Sequence, residues 1–287
     1  MASKVVVTPL RQAPRARVRP PASQSADILD MAGMEAVILC GGRGLRIQHE
    51  IPRIPKPLVE VGGQPIVWHV MNMFRHVGVR RFVLCLGYKG SLIEEMVHRC
   101  VAGEPELRSG TDVGMQSQQI ICRPTGLETN TGERIKRVAD AVRHDVFFAT
   151  YSDGLADLDL YRLLQFHRQH GRIATITSVQ PTSPFGIVRL GRNGRVHAFQ
   201  EKPRLHQWIN GGFFVFDRRL FDYMRDGDVL ESDTFGRLVA DGQLMAYRHR
   251  GFWMCMDTYK DHVVLNRLWN EGQRPWARWL KAEEGSS

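Results

Sequence analysis

A glycine-rich segment, G-G-R-G-L-R at residues 41–46, directly follows the short apolar run Glu35–Cys40. Backbone N–H groups of such a loop can approach phosphate oxygens, and Arg46 can neutralise their charge. The dinucleotide-binding pattern does not fit, because Ile47 stands where a third glycine is required and the prolines that follow prevent a helix. The segment therefore indicates a phosphate-binding loop of another kind, or else a tight turn.

Four charged side chains occur in short motifs that suggest phosphate chemistry. Two prolines flank Lys56 and restrict its backbone, so its ammonium can be aimed toward the glycine loop. Asp153 follows a predicted strand, at the carboxyl end where open parallel sheets bind ligands. Lys202, in E-K-P, and Asp257, in M-D-T, follow later strand-like runs. Each group alone is more typical of a solvated surface, but two carboxylates with two lysines are what magnesium-assisted attack on a nucleotide phosphorus requires.

These motifs must be positioned by alternating strands and helices. Apolar runs typical of buried strands occupy Glu35–Cys40, Phe82–Leu86, Val146–Tyr151 and Ile173–Val179. Helical periodicity follows Pro65 and Ser91 and covers Arg134–His144 and Leu158–His170. Such a βαβ succession predicts an α/β fold, with a Rossmann-like, mostly parallel sheet flanked by helices.

The pattern changes beyond Val179. Two strand-like runs, Gly186–Leu190 and Arg195–Gln200, flank an Asn193-Gly194 turn, which is typical of a β-hairpin. The sequence therefore predicts an α+β part in the C-terminal half of the fold.

Composition limits the function classes. The 287 residues include 39 basic and 30 acidic ones, and the net charge of +9 favours anionic partners. Residues 1–33 are basic, Pro-rich and without periodicity, which predicts a disordered tail, and residues 281–287 form a second tail. No apolar run approaches the roughly 18 residues of a membrane-spanning helix. The five cysteines are scattered without a C-x-x-C pair, which favours a reducing cytoplasm.

The order of the motifs resembles that of the sugar-1-phosphate nucleotidyltransferases. That order is G-G-x-G-x-R, P-K-P, S-D-G, E-K-P, I-N-G-G and M-D-T, and stretches such as T-G-E-R-I-K-R at 131–137 look like the cytidylyl subgroup. The resemblance implies one domain over residues 34–280, with a nucleotide-binding part at about 34–180 and a sugar-phosphate-binding part at about 181–280. The implied reaction joins a nucleoside triphosphate, expected to be CTP, to a sugar 1-phosphate, expected to be glucose 1-phosphate, with release of pyrophosphate.

The same resemblance implies roles for individual residues. Arg46, Lys56 and Lys202 would be catalytic, and Asp153 and Asp257 would bind Mg²⁺. The nucleotide would be bound by Leu39, Cys40, Gly41, Gly42, Arg43, Gly44, Arg46, Lys56, Thr129, Thr131, Arg134 and Ser152. The sugar phosphate would be bound by Glu201, Lys202, Asn210 and Gly211. The expected partners are small molecules, with no nucleic acid and no membrane, and a homo-oligomer stays open.

Two departures from the family pattern leave alternatives open. Leu45 replaces the usual threonine of the glycine loop, and Arg53 replaces the first lysine of a K-P-K-P motif. A lost hydroxyl contact costs on the order of 1 kcal/mol, so another triphosphate or sugar phosphate, or a non-catalytic regulator on the same fold, remains an alternative. A nucleotide-sugar glycosyltransferase is a further one, because residues 157–159 form a D-x-D motif, although it leaves Lys56 and Lys202 without roles.

Overall fold

The computed structural model describes residues 30–44, 54–102 and 119–280 of the chain. The strands in these ranges are β1 (Glu35–Cys40), β2 (Glu60–Val61), β3 (Gln64–Pro65), β4 (Arg81–Leu86), β5 (Gln119–Pro124), β6 (Val146–Tyr151), β7 (Gly154–Ala156), β8 (Ala174–Val179), β9 (Ile187–Leu190), β10 (Val196–Gln200), β11 (Ile209–Asp217), β12 (Leu244–Arg248) and β13 (Trp253–Cys255). The α-helices are α1 (Ile66–His76), α2 (Gly90–Ala102), α3 (Thr131–Lys136), α4 (Leu160–His170), α5 (Phe235–Ala240) and α6 (Tyr259–Asn270).

The main sheet has seven strands in the order β12-β8-β11-β6-β1-β4-β5. All neighbours are parallel except at β11, which runs antiparallel to both β6 and β8. Because β1 lies next to β6, the loops that follow these two strands meet at the carboxyl edge of the sheet. The reversal of β11 brings Asn210 and Gly211, which lie near its start, to that edge as well. The predicted α/β fold with a mostly parallel sheet is confirmed.

Both faces of this sheet are buried under helices. Along β1, Ala36 and Ile38 pack on one face and Val37 and Leu39 on the other. The helices α1, α2, α4 and α6 contribute to the first core, and α3 and α5 to the second. Burial on both sides explains why the strands appear in the sequence as continuous apolar runs rather than alternating ones. It also gives the loops at the carboxyl edge a rigid support.

The predicted hairpin is present between β8 and β11. β9 pairs antiparallel with β10, and the turn between them has positive φ at both Asn193 (64°) and Gly194 (75°). This is the backbone conformation for which Asn-Gly is favoured in two-residue hairpins. All four residues of β9 are exposed, so the hairpin extends away from the sheet.

The packed body begins before the boundary that the sequence indicates. Met31, which falls in the predicted tail, is buried in the core with Met34. Asp30 accepts two backbone N–H bonds from the turn that follows it, at 3.0 and 3.1 Å. Residues 1–29 and 281–287, the rest of the predicted tails, lie outside the described residues. No helix in the described ranges is long and apolar enough to cross a membrane.

Candidate active site

The carboxyl ends of β1 and β6 open into a cavity of about 540 Å³, a size usual for small-molecule sites. Its lining residues are Leu39, Gly41, Gly42, Arg43, Gly44, Lys56, Pro57, Thr129, Asn130, Thr131, Arg134, Tyr151, Ser152, Asp153, Val229, Glu231 and Asp257. Of the predicted nucleotide-side residues that the structure describes, only Cys40 is missing from this lining, because it is fully buried in the sheet. Arg46, Leu45 and Arg53 lie outside the described residues.

The glycine loop is closely packed at two places. An added Cβ at Gly41 would overlap the guanidinium of Arg134. Gly44 has a φ of +63°, and an added Cβ there would lie 2.9 Å from Lys56 Cβ. Glycine is therefore required at the first position for contact and at the second for conformation, and the bare backbone can approach a phosphate closely.

Arg134 connects the glycine loop to the segment after β5. Its Nη1 donates to Thr125 Oγ1 at 2.8 Å and to Gly126 O at 2.7 Å, and its Nη2 donates to Gly41 O at 3.2 Å and to Leu127 O at 3.1 Å. The residue is buried, and burial lowers the pKa of its guanidinium. Because protein oxygens surround both terminal nitrogens, Arg134 acts as a clamp on the loop. It also lines the cavity, and its contact with a nucleotide stays a prediction.

We expect Arg134→Lys to lower the melting temperature by roughly 5 °C. One ammonium cannot make all the hydrogen bonds of the planar guanidinium, and each buried group left unsatisfied costs on the order of 1–3 kcal/mol. The Michaelis constant for the triphosphate should rise as the loop loosens. Thermal unfolding and steady-state kinetics measure both effects, with Arg162→Lys, the same change at an exposed arginine of α4, as the matched control. An unchanged melting temperature with a raised nucleotide constant would instead indicate direct contact.

Lys56 lies between two carboxylates of the cavity. Its Nζ is 2.5 Å from Asp153 Oδ2 and 2.6 Å from Asp257 Oδ1, and only 13% of its side chain is exposed. Burial by itself would lower the pKa of Lys56, but the Asp153 carboxylate and the hydrogen bonds to both acids raise it above its usual value. The ammonium therefore stays charged throughout the physiological pH range.

Short elements bring this trio together. Pro55 and Pro57 flank Lys56 at a one-turn 3-10 helix, Lys56–Leu58. β7 pairs antiparallel with β13, so that Asp153, just before one strand, and Asp257, two residues after the other, meet although they are distant in sequence. The acids of the predicted motifs S-D-G and M-D-T thus share one site with the lysine of P-K-P.

The two acids and a thiol form a group that can hold a divalent cation. The ligand atoms of Asp153, Cys255 and Asp257 all lie within 4.8 Å of one another. Carboxylate oxygens are the ligands that Mg²⁺ prefers, and the position of the Lys56 ammonium shows that a positive charge is accommodated between them. Burial raises the pKa of the Cys255 thiol, and the Asp153 carboxylate adds to this effect. The two carboxylates of this group fit the Mg²⁺ expected from the sequence.

A second polar network is centred on Tyr151 and Glu231, two residues of the cavity lining that the sequence-based prediction does not assign to the site. Tyr151 donates its hydroxyl proton to Glu231, and Thr131 Oγ1 donates to Glu231 Oε2 at 2.7 Å. Asn210 Nδ2 lies 3.5 Å from the Tyr151 hydroxyl. Burial and then the Glu231 charge raise the pKa of Tyr151 above its usual value, so the phenol stays protonated. Its place directly before S-D-G could have indicated Tyr151, whereas no pattern marks Glu231.

The predicted sugar-phosphate residues occupy two separate places. Asn210 and Gly211 lie at the carboxyl edge of the sheet, where Asn210 approaches Tyr151. Glu201 and Lys202 follow β10 at the base of the hairpin, are exposed and form an ion pair at 3.2 Å. None of these four residues is among those that line the described cavity. The structure therefore does not place Lys202 beside Lys56.

The D-x-D motif has structural partners outside this cavity. Asp159 caps α4 by accepting the Arg162 N–H bond at 3.0 Å, and Asp157 Oδ1 lies 3.0 Å from His249 Nε2. Both acids line a different cavity of about 550 Å³. The pair is therefore not the metal site next to the glycine loop that a glycosyltransferase interpretation requires.

The carboxylates face a phosphate-binding type of loop across one cavity, on a mostly parallel sheet, and this arrangement defines the class of α/β enzymes that transfer phosphoryl or nucleotidyl groups. The chain belongs to the nucleotidyl transferase family, whose sequence profile matches residues 35–267. It is 40% identical over 255 residues to a probable glucose-1-phosphate cytidylyltransferase of Bacillus subtilis, with 86% of this chain and 100% of that protein covered.

Other comparisons agree with this membership. A glucose-1-phosphate cytidylyltransferase of Salmonella typhimurium is 40% identical over 257 residues, again with 86% of this chain and all of that protein covered. The crystal structure of HddC from Yersinia pseudotuberculosis superposes with a TM-score of 0.63 at 21% identity, covering 82% of this chain and 99% of that one. The likeness to the HddC structure shows the fold, and the likeness to the Salmonella protein extends over the whole length of that relative.

Proposed function

We propose that this enzyme joins CTP to glucose 1-phosphate, giving CDP-glucose and pyrophosphate. The observation that carries the proposal is the contact of Lys56 with Asp153 and Asp257 in the cavity of the glycine loop. It is supported by relatives named for this activity, which the chain matches over their full length.

The reaction is a direct displacement at phosphorus. A phosphate oxygen of glucose 1-phosphate attacks the α-phosphorus of CTP, a new P–O bond forms, and the bond to the β-phosphate breaks with its electron pair leaving on pyrophosphate. In our proposal the glycine loop holds the triphosphate through backbone N–H groups. Asp153 and Asp257 would hold Mg²⁺, which supplies positive charge to the phosphate oxygens when bound.

In this scheme Lys56 contacts the two carboxylates before the reaction and stabilises a phosphate group during it. Its ammonium is already charged and already desolvated, so it needs no protonation step before it stabilises an anion. If Asp153 and Asp257 held Mg²⁺, the Lys56 ammonium would be available to the α-phosphate or to the departing pyrophosphate. The lysine thus supplies charge where it develops during the displacement.

Sugar recognition is proposed for the side of the cavity near β11. Tyr151 and Glu231 line the cavity there, the Asn210 amide lies 3.5 Å from the Tyr151 hydroxyl, and Glu231 accepts from Tyr151 and Thr131. Carboxylate oxygens have lone pairs left for further hydroxyl donors, so Glu231 is suited to a polyol. Glu201, Gly211 and Lys202 are retained as sugar-phosphate ligands, in a part of the protein formed by residues 181–280.

We expect Glu231→Gln to raise the Michaelis constant for glucose 1-phosphate at least tenfold while leaving that for CTP within about twofold, since a hydrogen bond to a charged group is worth roughly 1.5–3 kcal/mol. Initial rates with each substrate varied in turn measure this. Asp226→Asn makes the same chemical change at an exposed acid that pairs with Lys136. The assignment fails if the CTP constant alone rises.

Triphosphate choice tests the proposed substrates. Purified protein with Mg²⁺ is assayed with CTP, UTP, dTTP, GTP and ATP against glucose 1-phosphate, and with CTP against other sugar 1-phosphates. We expect kcat/KM for CTP to exceed that for each other triphosphate at least tenfold, about 1.4 kcal/mol in transition-state energy. If GTP or dTTP were the best substrate, the reaction would be the same but the preferred base would not be cytosine. If no pair of substrates released pyrophosphate, the alternative of a non-catalytic regulator would be favoured.

We also propose a cytoplasmic enzyme with small-molecule partners. The described cysteines Cys40, Cys85, Cys122 and Cys255 are all free thiols, and reduced thiols are typical of that compartment. Burial raises the pKa of Cys85 to about 12 and that of Cys122 to about 11, which keeps both unreactive.

A further inference from the structure

Cys255 lies in the immediate surroundings of the two acids that would hold the metal ion. It ends β13, and its pairing partner on β7 is Gly154, which follows Asp153 in the chain. The sulfur and the carboxylate oxygens of Asp153 and Asp257 are mutually within 4.8 Å. The thiol therefore lies beside the two carboxylates as a third donor group.

Sulfur changes what such a group can bind. Two carboxylates form an oxygen site of the kind that Mg²⁺ prefers, and Mg²⁺ makes little use of a sulfur donor. Borderline and soft ions such as Co²⁺, Zn²⁺ and Cd²⁺ accept oxygen and sulfur ligands together. Compared with an all-oxygen site, a site with two oxygens and one sulfur therefore binds Co²⁺, Zn²⁺ and Cd²⁺ more strongly relative to Mg²⁺.

We propose that Cys255 is a third protein ligand for divalent ions at this site, so that the site binds thiophilic cations through sulfur and Mg²⁺ through the carboxylates alone. The inference rests on the proposed function only in placing a divalent ion at Asp153 and Asp257. On binding of a thiophilic ion, the metal–sulfur bond replaces the S–H bond, and the proton passes to the solvent. Neither the oxidation state of the sulfur nor that of the metal changes.

The other described cysteines provide the controls. Cys40 and Cys85 are fully buried in the sheet, and Cys122 is half-buried on β5 at the edge of the sheet. None of these three belongs to the group of Asp153 and Asp257. Cys122→Ser is therefore the matched change of a thiol to a hydroxyl outside the site.

The test is a titration of the metal-free full-length protein with Co²⁺, followed by near-ultraviolet absorption. We expect a sulfur-to-cobalt charge-transfer band in the wild type and in Cys122→Ser, and its loss in Cys255→Ser. The affinity of Cys255→Ser for Cd²⁺ should be at least about tenfold lower than that of the wild type. This is the lower end of the loss in metal affinity caused by mutating a residue that supports a metal site. Its Mg²⁺ dissociation constant should change by less than about twofold.

Two results would overturn the assignment. One is a charge-transfer band that persists in Cys255→Ser, and the other is a Cd²⁺ affinity that this change leaves unaltered. The spectra do not depend on turnover, whereas pyrophosphate release from CTP and glucose 1-phosphate does not depend on sulfur ligation. A wild-type enzyme that is active with Mg²⁺ but gives no sulfur band would contradict this inference and leave the proposed function standing. A protein that gives the sulfur band but releases no pyrophosphate would support this inference and contradict the proposed function.

Discussion

Lys56→Ala is expected to abolish most of the activity and yet to strengthen metal binding. The lysine ammonium lies 2.5 and 2.6 Å from the carboxylates of Asp153 and Asp257, so a divalent cation held by these acids would compete with it. Removing the ammonium takes away one positive charge that competes with a metal ion for these two carboxylates. The dissociation constant for Mn²⁺ in the absence of nucleotide should therefore fall at least about threefold.

The turnover number of the same variant should fall by about a hundredfold or more, since a preorganised positive charge is worth roughly 2.7–4 kcal/mol to a charged transition state. Titration calorimetry and pyrophosphate release measure the two effects on one preparation. Lys136→Ala, at a lysine that pairs with Asp226 outside the cavity, is the matched control. A weaker Mn²⁺ affinity in Lys56→Ala would show that the lysine supports the metal site rather than competing for it.

Asp153→Asn and Asp257→Asn should each lower turnover at least about a hundredfold, equivalent to some 2.7 kcal/mol. Each change removes one oxygen anion that would hold the metal and one partner of Lys56. Asp153 is the more deeply placed of the two, with 16% of its side chain exposed against 42% for Asp257. The loss should therefore be at least as large at Asp153.

Circular dichroism separates these losses from unfolding, and Asp226→Asn repeats the change at an exposed acid. Raised concentrations of Mn²⁺ should recover part of the activity of Asp257→Asn, because one carboxylate and the amide oxygen remain. Retention of more than about a tenth of wild-type turnover by both variants, less than 1.4 kcal/mol of effect, would refute a metal site at these acids.

The sequence was informative wherever a motif ended a buried strand. The glycine loop after β1 and Asp153 after β6 occupy adjacent strand ends, so parallel packing brings them together without any further information. The hairpin was equally predictable, because the backbone at Asn193 and Gly194 favours those two residues. Local rules suffice for such features.

Contacts made by long side chains and by irregular segments were not predictable in this way. The periodicity predicts a helix over Arg134–His144, whereas α3 spans Thr131–Lys136, and the guanidinium of Arg134 is directed to the carbonyl of Gly41. Glu231 belongs to a single π-helical turn, for which the sequence has no signal. Lys202 follows β10 and is not among the residues that line the cavity, which depends on the path of the chain after the hairpin.

The most direct measurement of the proposed reaction uses glucose 1-phosphate labelled with ¹⁸O in its phosphate oxygens, together with unlabelled CTP, Mg²⁺ and the full-length protein. Direct attack of the sugar phosphate on the α-phosphorus keeps every labelled oxygen with the sugar, so mass spectrometry should find the label in CDP-glucose and none in pyrophosphate. Formation of CMP or inorganic phosphate without a nucleotide sugar, or label in the pyrophosphate, would contradict the proposed reaction.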